Sequence, residues 1–272
     1  MTIGPPSITP SRPGHRGRRL RRGAIGFAAL LVAVEAVTRV ELVDPDWLPP
    51  ASTVLATTMG LLVDPAFLIH VGGTLLAALT GLALATAIGV TFGAAIARLR
   101  RAGPAMTTAV ELLRPIPSVA LIAPAILVLG RGLDLRIVLV AYAATWPILI
   151  NAITGVRGVD PLARETARAF GLSRAAVIRD VDLPSAAPFI ATGVRISAGI
   201  ALIVAISAEL IAGGPPGIGV WMLEASQSGV PRELAYAGIV VAGLLSVGVN
   251  TLLVAGERRL VGWHPRLRED GA

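Results

Sequence analysis

Residues 160–184 read DPLARETARAFGLSRAAVIRDVDLP, a polar, arginine-bearing stretch that lies between two long apolar runs. Asp160 followed by Pro161 predicts a helix start, because Asp can cap a helix and Pro is tolerated in its first turn. Residues 162–169 have the spacing of a short amphipathic helix, and Gly171 suits the left-handed backbone position that ends a helix. The stretch therefore predicts a short helix that lies between, and not within, the apolar runs.

A second short helix is expected directly after this turn. Ser173 is placed to cap it, the helix should run through Ile178, and Pro184 should end it. The two helices would form a knob with a small-residue face that fits into a cleft of another protein, and Glu165 would offer a charged contact. The alternative is an ordinary amphipathic loop that lies on lipid headgroups.

The composition is typical of a membrane protein. The chain has 272 residues, of which 54% are hydrophobic and 15% charged, so it lacks the polar residues to coat a soluble domain of this length. A net charge of +7 with 4% aromatic residues, scattered between apolar runs, argues against nucleic acid and favours the membrane surface as the partner. All 24 basic residues are Arg, which excludes a phosphate-binding loop that needs Lys. The absence of Cys excludes disulfides and thiolate sites.

Six apolar runs have about the 20 residues that a membrane-spanning helix needs. The third contains Pro115, Pro117 and Pro124, so we expect it to be kinked or broken. The sequence therefore predicts an all-α integral membrane protein with six transmembrane helices, near residues 23–40, 70–97, 105–130, 135–156, 187–212 and 234–256.

The distribution of arginine predicts the orientation. Segments 1–22, 98–103, 157–186 and 257–272 together contain 18 Arg, whereas the segments on the other side contain 4. Because cytoplasmic loops carry the excess of basic residues, both termini and the 157–186 loop are expected in the cytoplasm. An even number of spans also places both termini on the same side of the membrane.

The chain divides into four predicted regions. Residues 1–22 form a basic, disordered N-terminus, and residues 23–69 form a first helix with an extracytoplasmic segment. Residues 70–256 form a transmembrane core that contains the 157–186 loop, and residues 257–272 form a cytoplasmic tail. The basic residues before the first apolar run also allow a cleaved signal peptide. No small-residue cleavage site ends that run, and Glu35 and Arg39 follow, so a retained helix is favoured.

Polar residues within the apolar runs are candidates for the pore or a gate, because charges are costly inside a membrane. Arg195 could meet an anionic solute, or it could pair with Glu111 or reach the headgroups. Glu209 lies near the far end of the same run, where structural pairing is the alternative. Asn151 could line the pore or form an interhelical hydrogen bond. The three histidines have no ligand-like spacing, so neither a metal site nor a catalytic or cofactor site is expected.

The spacing within the loop resembles the coupling motif of binding-protein-dependent ABC transporter permeases. The family pattern is Glu-Ala-Ala, three free positions, Gly, nine free positions, an aliphatic residue, one free position and Leu-Pro. This chain matches it at Glu165, Ala167, Gly171, Val181, Leu183 and Pro184, with Thr166 in place of the central Ala. Over residues 45–264 it is similar to the nitrate, sulfonate and taurine branch, through Trp47–Pro50, Glu111–Pro117, Pro147, Asn151, Gly193–Arg195, Ala208-Glu209, Gly217–Gly219 and Gly262-Trp263.

This resemblance implies a permease with one N-terminal helix, a five-helix core and a cytoplasmic coupling helix pair. Two copies would form the pore, two separate ATPase subunits would dock on the coupling loops, and an extracytoplasmic binding protein would deliver the solute. The branch implies a small anionic solute similar to a sulfonate, taurine or nitrate. The competing interpretations are a secondary transporter or another polytopic membrane protein without an ATPase. We find no repeat between residues 23–130 and 135–256 of the kind that secondary transporters show. An integral membrane enzyme would need clustered His, Asp or Cys, and none is present.

Overall fold

The computed structural model describes residues 15–40, 42–44, 47–99, 103–227 and 231–261. Their regular structure is helical: α1 His15–Arg39, α2 Ala51–Leu61, α3 Pro65–Arg98, α4 Gly103–Leu113, a 3₁₀ turn Ser118–Leu121, α5 Ile122–Leu129, α6 Leu133–Arg157, α7 Pro161–Ala169, α8 Arg174–Val177, a π-helical turn Ile178–Asp182, α9 Leu183–Ala212, α10 Ile218–Gln227 and α11 Glu233–Val261. Residues 1–14 of the predicted disordered N-terminus and residues 262–272 of the predicted tail lie outside the described residues. Residues 15–22, also predicted to be disordered, instead form the start of helix α1.

The chain divides into two units, residues 1–57 and 58–272. Within the first unit, Glu35 on α1 accepts hydrogen bonds from Arg39 Nε at 2.7 Å and from Ser52 N at 2.9 Å. The Glu35 side chain thus ties α1 to the start of α2, a short helix that the sequence analysis did not predict.

Four helices of the described chain are long and apolar enough to cross a membrane, or five if a bent pair counts as one span. The bent pair consists of 105–113 and 118–129, which meet at 75°. The predicted break in the third run is thus confirmed, and Pro115 and Pro117 lie in it. Helix α1 is not among the candidates, because Glu35 interrupts its short apolar stretch between Arg22 and Arg39. The described chain therefore contains up to five of the six predicted spans.

Helix α6 packs between α3 and α9, and small residues allow the close approach. A Cβ on Gly81 would lie 2.5 Å from a Val140 methyl, and one on Gly89 would lie 2.9 Å from an Ile148 methyl. On the other side of α6, a Cβ on Gly193 would lie 3.0 Å from Asn151 Cβ. The small residues Gly81, Ala85, Gly89 and Gly93, spaced four apart, therefore form the glycine ladder along which α3 packs on α6.

Candidate functional site

Helix α7 begins as the sequence predicts. Asp160 accepts a hydrogen bond from Leu162 N at 2.9 Å, and Pro161 occupies the first turn. Leu162 and Phe170, two large apolar side chains, are 66% and 82% exposed. Glu165 is also exposed. The helix thus presents apolar and acidic side chains together, a composition suited to contact with another protein.

The turn between α7 and α8 depends on Gly171, whose φ is +81°. Gly171 N donates to Arg168 O at 2.9 Å, and Leu172 N donates to Ala167 O at 3.1 Å, so the last carbonyls of α7 are satisfied. Ser173 Oγ then accepts from Ala176 N at 3.2 Å and caps α8. Both predicted caps and the left-handed glycine are confirmed.

The second helix does not end before Pro184. The π-helical turn Ile178–Asp182 continues α8 directly into α9, so that 174–212 forms one long candidate span. Leu183 and Pro184 begin the α-helical part of this span, directly after the π-helical turn. The expectation of a stop at Pro184 was wrong, because the π-helical turn carries the helix past the proline.

Asp182 connects the hairpin, which consists of α7, α8 and the turn between them, to the long helices. Its carboxylate is 3% exposed and accepts from Arg164 Nε on α7 at 2.7 Å and from Arg98 Nη2 at the end of α3 at 2.9 Å. Arg164 also donates to the carbonyl of Val156 at the end of α6. One buried carboxylate at the start of α9 therefore fixes α7 against the ends of α3 and α6.

Asp182 was not predicted as a functional residue, because it occupies the free position between Val181 and Leu183 of the motif. The available signal was an acidic residue beside an apolar span, since a buried carboxylate requires a partner. Nothing in the sequence identified Arg98, which lies 84 positions away.

Glu209 lies in a second buried cluster, at the opposite end of α9 from the hairpin. Glu209 and Arg136 are 0% and 1% exposed and form an ion pair of 3.2 Å. The Glu209 carboxylate also accepts from Thr74 Oγ1, which lies 2.9 Å from its nearer oxygen, and from Gly219 N at 2.8 Å. This cluster joins α3, α6, α9 and α10, so it would have to open if Glu209 acted in a gate. The gating role of Glu209 stays a prediction.

Arg136 holds the chain that connects α9 to α10. Its guanidinium donates to the carbonyls of Gly213 at 3.3 Å, Pro216 at 3.2 Å and Pro215. Gly213 and Gly214 have φ of +68° and +105°, the left-handed backbone conformation that glycine allows in a turn. No partner for Arg136 was predicted from the sequence.

The remaining candidates lie apart from both clusters. Arg195 Nη1 donates to Glu257 Oε2 on α11 at 3.4 Å, so its partner differs from the predicted Glu111. Asn151 Nδ2 donates to Pro147 O of its own helix at 2.8 Å, and its Cβ lies at the contact with Gly193. The structure therefore does not bring Asn151, Arg195 and Glu209 together at one site.

The chain resembles known permeases over most of its length. The family described as the binding-protein-dependent transport system inner membrane component matches residues 85–262. The taurine transport system permease protein TauC of Escherichia coli is 30% identical over 247 residues, 89% of each chain. The nitrate import permease protein NrtB of Synechocystis is 31% identical over 239 residues, 82% of this chain and 84% of the relative.

Solved structures agree on the fold. The inward-facing MetNI methionine ABC transporter aligns with a TM-score of 0.63 at 18% identity, covering 72% of this chain and 98% of that one. A bacterial ABC transporter involved in alginate import aligns with a TM-score of 0.63 at 16% identity, covering 89% and 98%.

Proposed function

Because the chain belongs to the family of binding-protein-dependent transport system inner membrane components, and is thus a membrane-embedded permease component of an ABC importer, we propose that α7 and α8 are its contact with the ATPase. The chain's role is transport and not catalysis, so the energy must come from a separate subunit. Two ATPase subunits would dock on the α7–α8 hairpins of two identical permease copies, and an extracytoplasmic binding protein would deliver the solute.

The observation that carries this proposal is the combination of exposure and anchorage in the hairpin. Leu162, Glu165 and Phe170 are exposed, which leaves them available to a partner. The same helix is fixed through Arg164 and the buried Asp182 to three long helices. A surface that is both accessible and firmly attached can transmit movement, whereas a loop that only rests on headgroups has no need of the attachment.

The proposed role assigns functions to the motif residues. Glu165 makes a charged contact with the ATPase, and Thr166 and Ala167 keep that face of α7 small. Gly171 sets the angle between the two short helices through its positive φ. Leu183 and Pro184 begin the span to which movement of the hairpin is transmitted.

The solute class follows from what the relatives have in common. Their names specify taurine, aliphatic sulfonates, nitrate and bicarbonate. Each of these is small and carries an oxyanion, so we propose a small oxyanion-bearing solute for this chain, with selectivity largely in the binding protein. Asn151, Arg195 and Glu209 remain the candidates for the pore or its gate.

The proposed topology places the hairpin, the N-terminus and the C-terminus in the cytoplasm. Helix α1 would be the sixth span of a multi-pass protein in the bacterial cell membrane. The arginine asymmetry supports this orientation, since the hairpin segment contains 5 of the 24 arginines.

A charge reversal in the hairpin tests the coupling role. We expect Glu165→Lys to insert normally but to lose solute uptake and co-purification of the ATPase. The matched control is Asp180→Lys, which reverses an exposed charge in the same loop, paired only with the neighbouring Arg179 at 2.7 Å. Wild-type ATPase yield and uptake with Glu165→Lys, or equal losses with both variants, would contradict the assignment. Uptake by the chain without any ATPase would favour the secondary-transporter interpretation.

A further inference from the structure

A cavity of about 640 Å³ lies between the hairpin and the ends of α3 and α6. Five of the residues that line it are arginines and two are carboxylates, so the cavity has an excess of three positive charges. Neither the coupling role nor the solute path accounts for this charge.

The arginines of the cavity fall into two groups. Arg98 and Arg164 share the two oxygens of Asp182 and are compensated. Among the described residues, Arg157 has a single side-chain contact, a long one of 3.4 Å to Thr107 Oγ1. In the part of the chain that the structure describes, the side chains of Arg168 and Arg174 form no hydrogen bond or ion pair. Glu165 is therefore the one carboxylate left to balance three guanidinium groups.

This arrangement has the chemistry of a phosphate site. A guanidinium presents several N–H donors in a planar fork that matches the oxygens of a phosphate. Uncompensated like charges around one cavity repel one another, and a bound anion converts that repulsion into attraction. The cavity is large enough for a phosphodiester headgroup, and it opens where two candidate spans end, at Arg98 and Arg157.

We propose that this cavity binds the phosphate of an anionic phospholipid headgroup, held by Arg157, Arg168 and Arg174. Basic pockets between transmembrane helices at the cytoplasmic boundary are suited to such headgroups. The lipid is favoured over free phosphate because the cavity lies at the ends of α3 and α6, where headgroups are concentrated. The proposal rests on the proposed membrane topology but not on the ATPase contact. A bound lipid would brace α7 against α3 and α6 beside the Asp182 bridge.

The test is native mass spectrometry of the full chain in detergent, titrated with phosphatidylglycerol or with zwitterionic phosphatidylcholine. We expect the wild type to retain phosphatidylglycerol preferentially. The double variant Arg168→Gln/Arg174→Gln should retain it about 30-fold less, which corresponds to about 1 kcal/mol for each of two cationic contacts. The control Arg179→Gln removes an exposed arginine of the same loop that does not line the cavity, and it should behave as the wild type.

Three outcomes would overturn the proposal. The first is equal retention of phosphatidylglycerol by the wild type and the double variant with an unchanged melting temperature. The second is a melting temperature of the wild type that rises with inorganic phosphate while neither lipid is retained selectively, which would identify a free oxyanion as the ligand. The third is unchanged lipid retention by the double variant together with loss of ATPase co-purification, which would assign these arginines to the docking surface.

Discussion

Replacing Asp182 by Asn tests whether the hairpin is anchored by the buried carboxylate. The substitution preserves size but removes the charge that Arg164 and Arg98 share at 2.7 and 2.9 Å. Removing one partner of a fully buried ion pair costs about 3–5 kcal/mol. The two arginine side chains are 24% and 33% exposed, so water compensates part of the loss. We therefore expect about 2 kcal/mol less stability for the closed position of α7.

Hydrogen–deuterium exchange of the full chain in detergent measures this loss directly. An opening free energy lower by about 2 kcal/mol corresponds to about 30-fold faster exchange of the amides in α7 and the turn that follows it. Exchange in the centres of α3, α6 and α9 should change little, because their contacts are intact. In the assembled transporter, the same variant should hydrolyse ATP with reduced coupling to uptake.

Asp180→Asn is the matched control, since it neutralises an acid two positions away whose only ion pair among the described residues is with the exposed Arg179. It should leave exchange in α7 at the wild-type rate. Unchanged exchange in α7 with Asp182→Asn would refute the anchoring role of the carboxylate. Equal acceleration by both substitutions would show that net charge, and not the buried bridge, controls the hairpin.

Three further substitutions have defined outcomes. Gly171→Val should destabilise the turn by about 1–2 kcal/mol and reduce ATPase co-purification. The cost is backbone strain alone, because no neighbouring atom lies within 4 Å of the added Cβ. Gly171→Asn should retain ATPase co-purification, because Asn tolerates the left-handed conformation. Gly89→Ala should lower the melting temperature in detergent, because its Cβ would lie 2.9 Å from an isoleucine methyl of α6 and overpacking costs about 1–3 kcal/mol of stability. Gly72→Ala, with open space around the added Cβ, should leave the melting temperature unchanged. Glu209→Gln should destabilise the chain by about 3–5 kcal/mol, because the buried Arg136 loses its counter-charge. Adding Arg136→Met should recover part of that loss in the same melting assay. No recovery would contradict the pairing.

The parts of the fold that depend on local signals could be predicted from the sequence. Asp160, Pro161, Gly171 and Ser173 act on atoms within a few residues, and each lies where its backbone chemistry requires. The break near Pro115 and the glycine ladder of α3 follow equally from the stereochemistry of single residues.

The clusters that hold the helices together could not be predicted in this way. Arg98 and Asp182 are 84 positions apart, and Arg136 and Glu209 are 73 apart, so their pairing depends on which helices meet. The sequence showed charged residues near span ends but not their partners, and it offered Glu111 for Arg195 where the structure has Glu257. Helix α10 was missed because its apolar stretch is too short to be distinguished from a loop.

The two buried ion clusters explain how a small hairpin could act on the whole core. Helices α3, α6 and α9 pack closely along their lengths, and α6 lies between the other two. Near the hairpin, Asp182 links α9 to α3 directly and reaches α6 through Arg164. At the other end of the same helices, Glu209 links α9 to α6 through Arg136 and to α3 through Thr74. Because both ends of the three-helix unit are fixed, a push on α7 should move α3, α6 and α9 together and not bend α9 alone.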